Sequence, residues 1–330
     1  GSPQPASGLE PTPRPVSTRV LEVTDEDGLG AQLAIRETPV SEAAVQGPGR
    51  LEYNDQLGHE ILAHIEALRS QSAERWLFET NGALAPFNFW LEARFDVQWN
   101  RTFYDLYQGG QEEPLLAGLT PMWPVSVNAS GTDFILAAEN APNTQPWQVL
   151  VDSEGYREWE WMPIQLFPPA YVGDALARVS ATDSMTLTYQ VELEAGAGGE
   201  DPTVVYTGTA ATLGAYMPLR SFTTWDDHWL LEVDDHLILD GRDLGQESGY
   251  DAAFGYARFG DRPFYFFEQD GLVGISFGGQ TWPGLYDEVF HNHCCEAAIH
   301  NVESGPAAVW FHALRDGVWY WVEAVLEEAR

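Results

Sequence analysis

A chain of 330 residues is long enough for one large domain or two ordinary ones, and its 44% hydrophobic content with 20% charged residues excludes a wholly disordered polymer. Acidic residues outnumber basic ones 50 to 16, every basic residue is Arg, and the net charge of -34 excludes phosphate backbones and anionic membrane surfaces as natural partners. No run approaches the roughly 18 apolar residues of a membrane span, so a carbohydrate or protein ligand is the expected partner, with no nucleic acid and no membrane span.

Residues 1–18 carry Pro3, Pro5, Pro11, Pro13 and Pro15 among small polar residues, the composition of an extended tether. This stretch resembles the stalk of a bacterial lipoprotein or cell-surface protein, which implies export and a lipid anchor upstream. Residues 19–130 are expected to form an N-terminal α+β region. Arg19 to Arg36 alternates as one or two strands about the turn Asp25-Glu26-Asp27-Gly28. From Asn54 or Asp55 as N-cap, Leu57, Ile61, Ile65 and Leu68 recur at helical spacing, which predicts an amphipathic helix of about four turns. Beyond it, Trp76-Leu77-Phe78, Phe87 to Phe95, Phe103 to Tyr107 and Phe134 to Ala138 are aromatic runs between Gly, Pro and Asn, and read as strands.

Residues 131–330 are expected to be a β-hairpin repeat region. Trp147 to Val151 and Tyr156 to Trp161 flank the turn Asp152-Ser-Glu-Gly155. Trp229 to Val233 and His236 to Leu239 flank Asp234-Asp235. Phe264 to Glu268 and Leu272 to Ser276 flank Gln269-Asp270-Gly271, and Val309 to Leu314 and Val318 to Val322 flank Arg315-Asp316-Gly317. Trp229 to Phe264 is 35 residues, Tyr250 to Tyr286 is 36, and Asp270 to Asp316 is 46, so ten residues are added around His291 to His300. Such periods of strands and turns predict a mainly β fold: a propeller-like or stacked β-hairpin repeat array with one N-terminal amphipathic helix. The segment Gln269-Asp-Gly-Leu-Val-Gly-Ile-Ser276, then Gly279-Gln280 and Leu285-Tyr-Asp-Glu-Val289, resembles the bacterial WG-type β repeat, with Val273-Gly274 where that family has Trp-Gly. The resemblance covers about a third of the chain and implies a binding scaffold without catalytic residues.

Chemistry concentrates at His291-x-His293-Cys294-Cys295, since two imidazoles and two thiols are ligand types that Zn or Cu selects. Side chains of adjacent strand residues point to opposite faces, which argues against one ion holding both thiols. Neighbouring Cα atoms lie about 3.8 Å apart, below the usual disulfide span of about 4.4 Å or more. A vicinal disulfide of Cys294 and Cys295 would therefore strain and stiffen its turn. In an exported chain that disulfide is the expectation, with unpaired or intermolecular thiols, or a Zn or Cu site at His291, His293, Cys294 and Cys295, as the alternatives.

Gly274-Ile-Ser276-Phe-Gly278 matches an esterase elbow in spelling, but Gly278-Gly279 and Trp282-Pro283-Gly284 follow where a helix is needed. His59 and His64 lie at i and i+5, one residue too far for a zinc-protease pair, and read as a polar helix face. Asp226-Asp227-His228 and Asp234-Asp235-His236 read as turns, with Ca²⁺ the alternative occupant. Among 13 Trp, candidate ligand-stacking residues are Trp159, Trp161, Trp282, Trp310, Trp319 and Trp321, against a core role for most of them. The expected function is an exported or surface-displayed binding scaffold, extracellular or periplasmic, with no evident catalytic centre. The alternatives are a glycan-active propeller enzyme with two carboxylates about 5–9.5 Å apart and a structural subunit that self-assembles through β-strand edges.

Overall fold

Short alternating runs punctuated by Asp-Gly pairs leave the backbone little choice but antiparallel strands, and the computed structural model is mainly β. It describes residues 17–24, 30–40, 56–121, 124–140, 148–158, 167–183, 188–195, 202–210, 219–259, 262–292, 301–305 and 307–328. In chain order the elements begin with β1 (Ser17–Thr24), β2 (Gly30–Pro39), α1 (Gln56–Leu84), β3 (Phe89–Asp96), β4 (Arg101–Gln108), β5 (Leu116–Pro121), β6 (Ser126–Val127), β7 (Phe134–Glu139), β8 (Gln148–Asp152) and β9 (Gly155–Glu158). They continue with β10 (Ala170–Val172), β11 (Ala175–Asp183), β12 (Thr188–Ala195), β13 (Thr203–Thr209), β14 (Leu219–Trp225), β15 (His228–Val233), β16 (His236–Leu239), β17 (Arg242–Asp243) and α2 (Leu244–Ser248). The last are β18 (Ala252–Phe259), β19 (Arg262–Gln269), β20 (Leu272–Phe277), β21 (Gln280–Tyr286), β22 (Glu288–Val289), β23 (Glu303–Ser304), β24 (Ala308–Arg315) and β25 (Val318–Glu328).

Three sheets are four-stranded meanders, β10 to β13, β14 to β17 and β18 to β21, each in chain order. A larger sheet runs β3-β4-β5-β7-β8-β9 with β6 on β7, and another runs β1-β2-β25-β24-β22 with β23 on β24. The four predicted hairpins are present as β8–β9, β15–β16, β19–β20 and β24–β25. Asp270-Gly271 and Asp316-Gly317 close the last two with positive φ at both residues, the geometry that a two-residue loop between twisted strands requires.

The helix departs from the sequence reading. α1 has 29 residues, about twice the expected length, and it takes in Trp76-Leu77-Phe78, which had read as a strand. The physical reason is that Leu68 to Thr80 is rich in helix formers, Arg75 and Glu79 pair at i,i+4, and the inward stripe continues through Trp76, Thr80 and Leu84. Pro86 then ends the helix in a 3-10 turn, and Asn88 adopts a left-handed φ of 66°. Asn81 works as a clamp at this end: its amide accepts from the Leu91 N–H at 2.7 Å and donates to the Leu91 carbonyl at 2.9 Å.

The chain divides into two compact units, Gly1–Ala67 with Ala257–Arg330, and Leu68–Tyr256. In the first, the register Glu37↔Val322↔Phe311 places a carboxylate on the face that carries Phe311, whose ring meets Phe266 and Tyr286 edge-on. Glu37 is 2% exposed and accepts from Arg315 through both terminal nitrogens (2.7 and 2.9 Å), from the Tyr286 hydroxyl (2.9 Å) and from Ser17 (2.9 Å). Burial pushes its carboxyl up, but these donors and the Arg315 charge outweigh burial and hold it below the usual carboxylate range. On the opposite face of the sheet, His64 of α1 sets its ring edge-on to Trp321 and bonds Glu323 at 3.0 Å.

In the second unit, β7 is buried on both faces. Phe134, Leu136 and Ala138 join Leu84, Phe89, Leu91 and Val149 under α1, while Ile135 and Ala137 face the other way, toward Tyr171 and Leu176. A further core gathers Phe167, Val179, Tyr189, Val191, Phe222, Trp229 and Leu231 from the β10–β13 and β14–β17 sheets. Burying each large side chain contributes about 1.5–3 kcal/mol.

Candidate ligand-binding site

In the second unit the turns of three successive sheets are tied together. The β6–β7 turn is shaped by Asn128, whose side-chain oxygen accepts from Thr132 and Asp133 N–H groups (both 2.9 Å) and whose amide donates to Ser130 and Thr132 hydroxyls (both 3.0 Å). From this turn Ala129 N–H donates to the Gly173 carbonyl at 2.9 Å, and Ser130 N–H to the Asp174 carboxylate at 2.8 Å. Gly173 N–H in turn donates to the Asp226 carbonyl at 2.6 Å. Gly173 and Asp174 make the β10–β11 turn, and Asp226 and Asp227 the β14–β15 turn. Gly173 has φ +58, and a Cβ there would fall 2.5 Å from the Asp227 carboxylate, so the close approach of these two turns calls for glycine.

Asp133 is the anchor beneath this cluster. It accepts from Tyr171 hydroxyl (2.5 Å), from the Ser153 hydroxyl (2.6 Å) and from the N–H groups of Ser153 (3.1 Å) and Phe134 (2.9 Å). Burial pushes its carboxyl up, yet the four donors prevail and hold it below the usual range; burial and then the Asp133 carboxylate push the Tyr171 hydroxyl well up. The network ties β7 to the β8–β9 turn and to β10, and so braces the turns from beneath.

Beside the tied turns lies a cavity of about 570 Å³. Ile135, Ala137, Phe167 and Phe222 supply apolar surface, and Ser126, Asn128, Thr223, Thr224, Asp226 and Asp227 supply polar groups. Trp225 also lines it, half-buried, with its ring stacked on Tyr256 (5.8 Å, 16° between planes) and tilted against His228 at 5.7 Å. His228 is held by Asp240, Nδ1 to Oδ2 at 2.7 Å, and the other carboxylate oxygen of Asp240 accepts from Trp229 N–H at 2.9 Å. The result is a concave site with an aromatic platform, an apolar floor and a rim of acceptors, the general makeup of a small-molecule site.

The sequence-selected tryptophans lie elsewhere. Trp310 and Trp321 are 4% and 6% exposed inside the β24–β25 ladder, and Trp282 and Trp319 are half-buried, Trp319 against Phe290. Trp159 and Trp161 fall outside the described residues, as do His293, Cys294 and Cys295. His291, just after β22, donates from Nδ1 to the Val289 carbonyl at 2.7 Å. Ser276 is buried within β20 and is followed by β21, so the G-x-S-x-G spelling builds no elbow. Asp226-Asp227 and Asp234-Asp235 are both hairpin turns, and their left-handed Asp226 and Asp234 (φ 46° and 48°) suit Asp.

Trp225, Tyr171 and Phe167 were missed by sequence reading. The one available signal was Trp225 placed directly before a double-Asp turn. No protein-family model matches this chain, and no curated protein is similar to it at a significant level.

Proposed function

We propose that this chain is an extracytoplasmic binding scaffold whose ligand is a carbohydrate, bound in the cavity beside the tied turns. The observation that carries the reading is Trp225: a half-buried ring, backed by Tyr256, at the edge of a 570 Å³ cavity with an apolar floor and hydroxyl-accepting rim. Sugars present a C–H face that stacks on such a ring and hydroxyls that donate to carboxylate, amide and hydroxyl oxygens. The Pro-rich stretch and the acid excess support a place outside the cytoplasm. The wiring supports a propeller-like arrangement, because successive meanders follow the chain and one sheet pairs β1 and β2 with β25 and β24. Titration of tryptophan fluorescence with neutral oligosaccharides tests the reading. A saturable change that Trp225→Ala abolishes is expected; the absence of any sugar response would sink it. Release of new reducing ends in the same mixture would move the chain to the glycan-active class.

A second reading rests on β13. This edge strand, Thr203-Val-Val-Tyr-Thr-Gly-Thr209, carries no charge, exposes Val204 and Val205, and has β12 as its strand neighbour among the described residues. An uncharged edge is the feature through which chains add strands to one another. Val204→Lys would then reduce any dimer seen by light scattering.

A further inference from the structure

The lining of the cavity is one-sided in charge. Asp226 and Asp227 are its charged side chains, adjacent on the β14–β15 turn and exposed, while among the described residues no Arg or His lines it. The adjacent imidazole, His228, already faces the Asp240 carboxylate at 2.7 Å. Asp174, tied to Ser130 across the neighbouring turn, adds a third carboxylate to the same end of the sheets. The remaining polar lining groups are the neutral Ser126, Asn128, Tyr171, Ser221, Thr223 and Thr224.

A ligand seated on Trp225 therefore meets apolar surface on one side and negative charge at the rim. An anionic sugar is repelled there, a neutral one is accepted, and one with a protonated amine gains an ion pair. Resting on the carbohydrate reading, we infer that the cavity prefers saccharides bearing a free amine over acetylated and anionic ones. The pair of carboxylates is solvent-exposed, so the preference is modest, about fivefold at low salt, and it falls as salt screens it.

The probes are three trisaccharides of comparable size, one of glucosamine, one of N-acetylglucosamine and one of galacturonate, with trilysine as a fourth, each titrated by calorimetry at neutral pH. The glucosamine trisaccharide is expected to bind about fivefold more tightly than the acetylated one, with galacturonate weakest. In the double variant Asp226→Asn, Asp227→Asn the ratio of the glucosamine to the acetylated affinity should fall from about fivefold to about one, whatever the substitutions do to sugar binding as a whole. Asn tolerates the left-handed φ at position 226 as Asp does, so the turn is preserved. Raising salt on the unaltered protein gives the same convergence without any substitution. Equal affinities for the amine and acetylated probes overturn the inference and leave the carbohydrate reading standing. Trilysine binding as tightly as the glucosamine probe also overturns it, since the site would then read charge alone. If no sugar binds, both fall.

Discussion

Two carboxylates in this chain each hold a tyrosine hydroxyl, and they are put to different uses. Glu37 sits inside the sheet that joins β2 to β25, sealed beneath Tyr286 and Phe311 and paired to both arms of Arg315. Asp133 sits at a sheet end, taking Tyr171 together with hydroxyl and backbone donors, and its neighbours Tyr171 and Ile135 form the wall of an open cavity. Both carboxyls are held low for the same reason, donors prevailing over burial. The difference is what lies next to them. A saturated polar network packed among aromatic rings holds structure, whereas one that braces loops around an opening sets the shape of a site.

That contrast predicts a ranking of effects. The largest belongs to Glu37→Ala, which strands the half-buried Arg315 and should cost about 3–5 kcal/mol in chemical denaturation, with ligand binding intact in the fraction that remains folded. Its pH signature is directional. Because the folded carboxyl lies below its ordinary 4.5, its contribution is full above that pH and is lost as pH falls through the folded value. The stability gap between the unaltered protein and Glu37→Gln should thus stay level near neutrality and narrow in acid; a gap that widens in acid would break the assignment.

Next comes Gly173→Ala, which forces an L-residue into a left-handed turn and displaces the Asp227 carboxylate. About 1–2 kcal/mol of stability should be lost, and sugar affinity should fall more than that number suggests, because the rim moves. Tyr171→Phe should cost about 1.5 kcal/mol and weaken binding, while the equivalent Tyr286→Phe changes stability and leaves binding unaltered. Equal effects of the two on binding would erase the distinction between the regions. The smallest effect is expected at Trp310, whose buried indole N–H has no hydrogen-bond partner among the described residues. Trp310→Phe removes an unpaired donor, so the change should stay within about 1 kcal/mol, measured by thermal melting.

The hairpins were readable in advance because their cause is local: a short turn rich in Asp and Gly, Asp-Gly itself in β19–β20 and β24–β25, closes the loop, and alternation on either side supplies the strands. The first half of α1 was readable for the same reason. Its second half was not, because the three-residue aromatic run Trp76-Leu77-Phe78 favours a strand taken alone, whereas the helix formers on either side and the packing of Trp76 on Tyr104 favour the helix. The β10–β13 meander carries no Asp-Gly pair, and its turn signals, Gly173-Asp174 and Gly198-Gly199, lie among weakly alternating runs. The cavity is the least local feature of all, since Ser126, Tyr171 and Trp225 are neighbours only after three sheets have formed. For the same reason the tryptophans chosen from sequence were the ones in strong strands, where Trp310 and Trp321 are buried as core.

The sheet built on β1, β2 and β25 also governs timing. Arg315 reaches Glu37 across 278 residues of chain, and Arg36 reaches Glu327 across 291. As a ribosome delivers this polypeptide from its N-terminal side, β1 and β2 emerge early and can form only a lone hairpin, which is marginal in water. Their third strand, β25, follows only from Val318 onward. The Leu68–Tyr256 unit, by contrast, is continuous in sequence and has all its partners in hand before β25 is made. The cavity can therefore be assembled on a nascent chain whose β1–β2 hairpin still waits for β25, and a ligand present at that moment would meet a finished pocket beside an unfinished sheet.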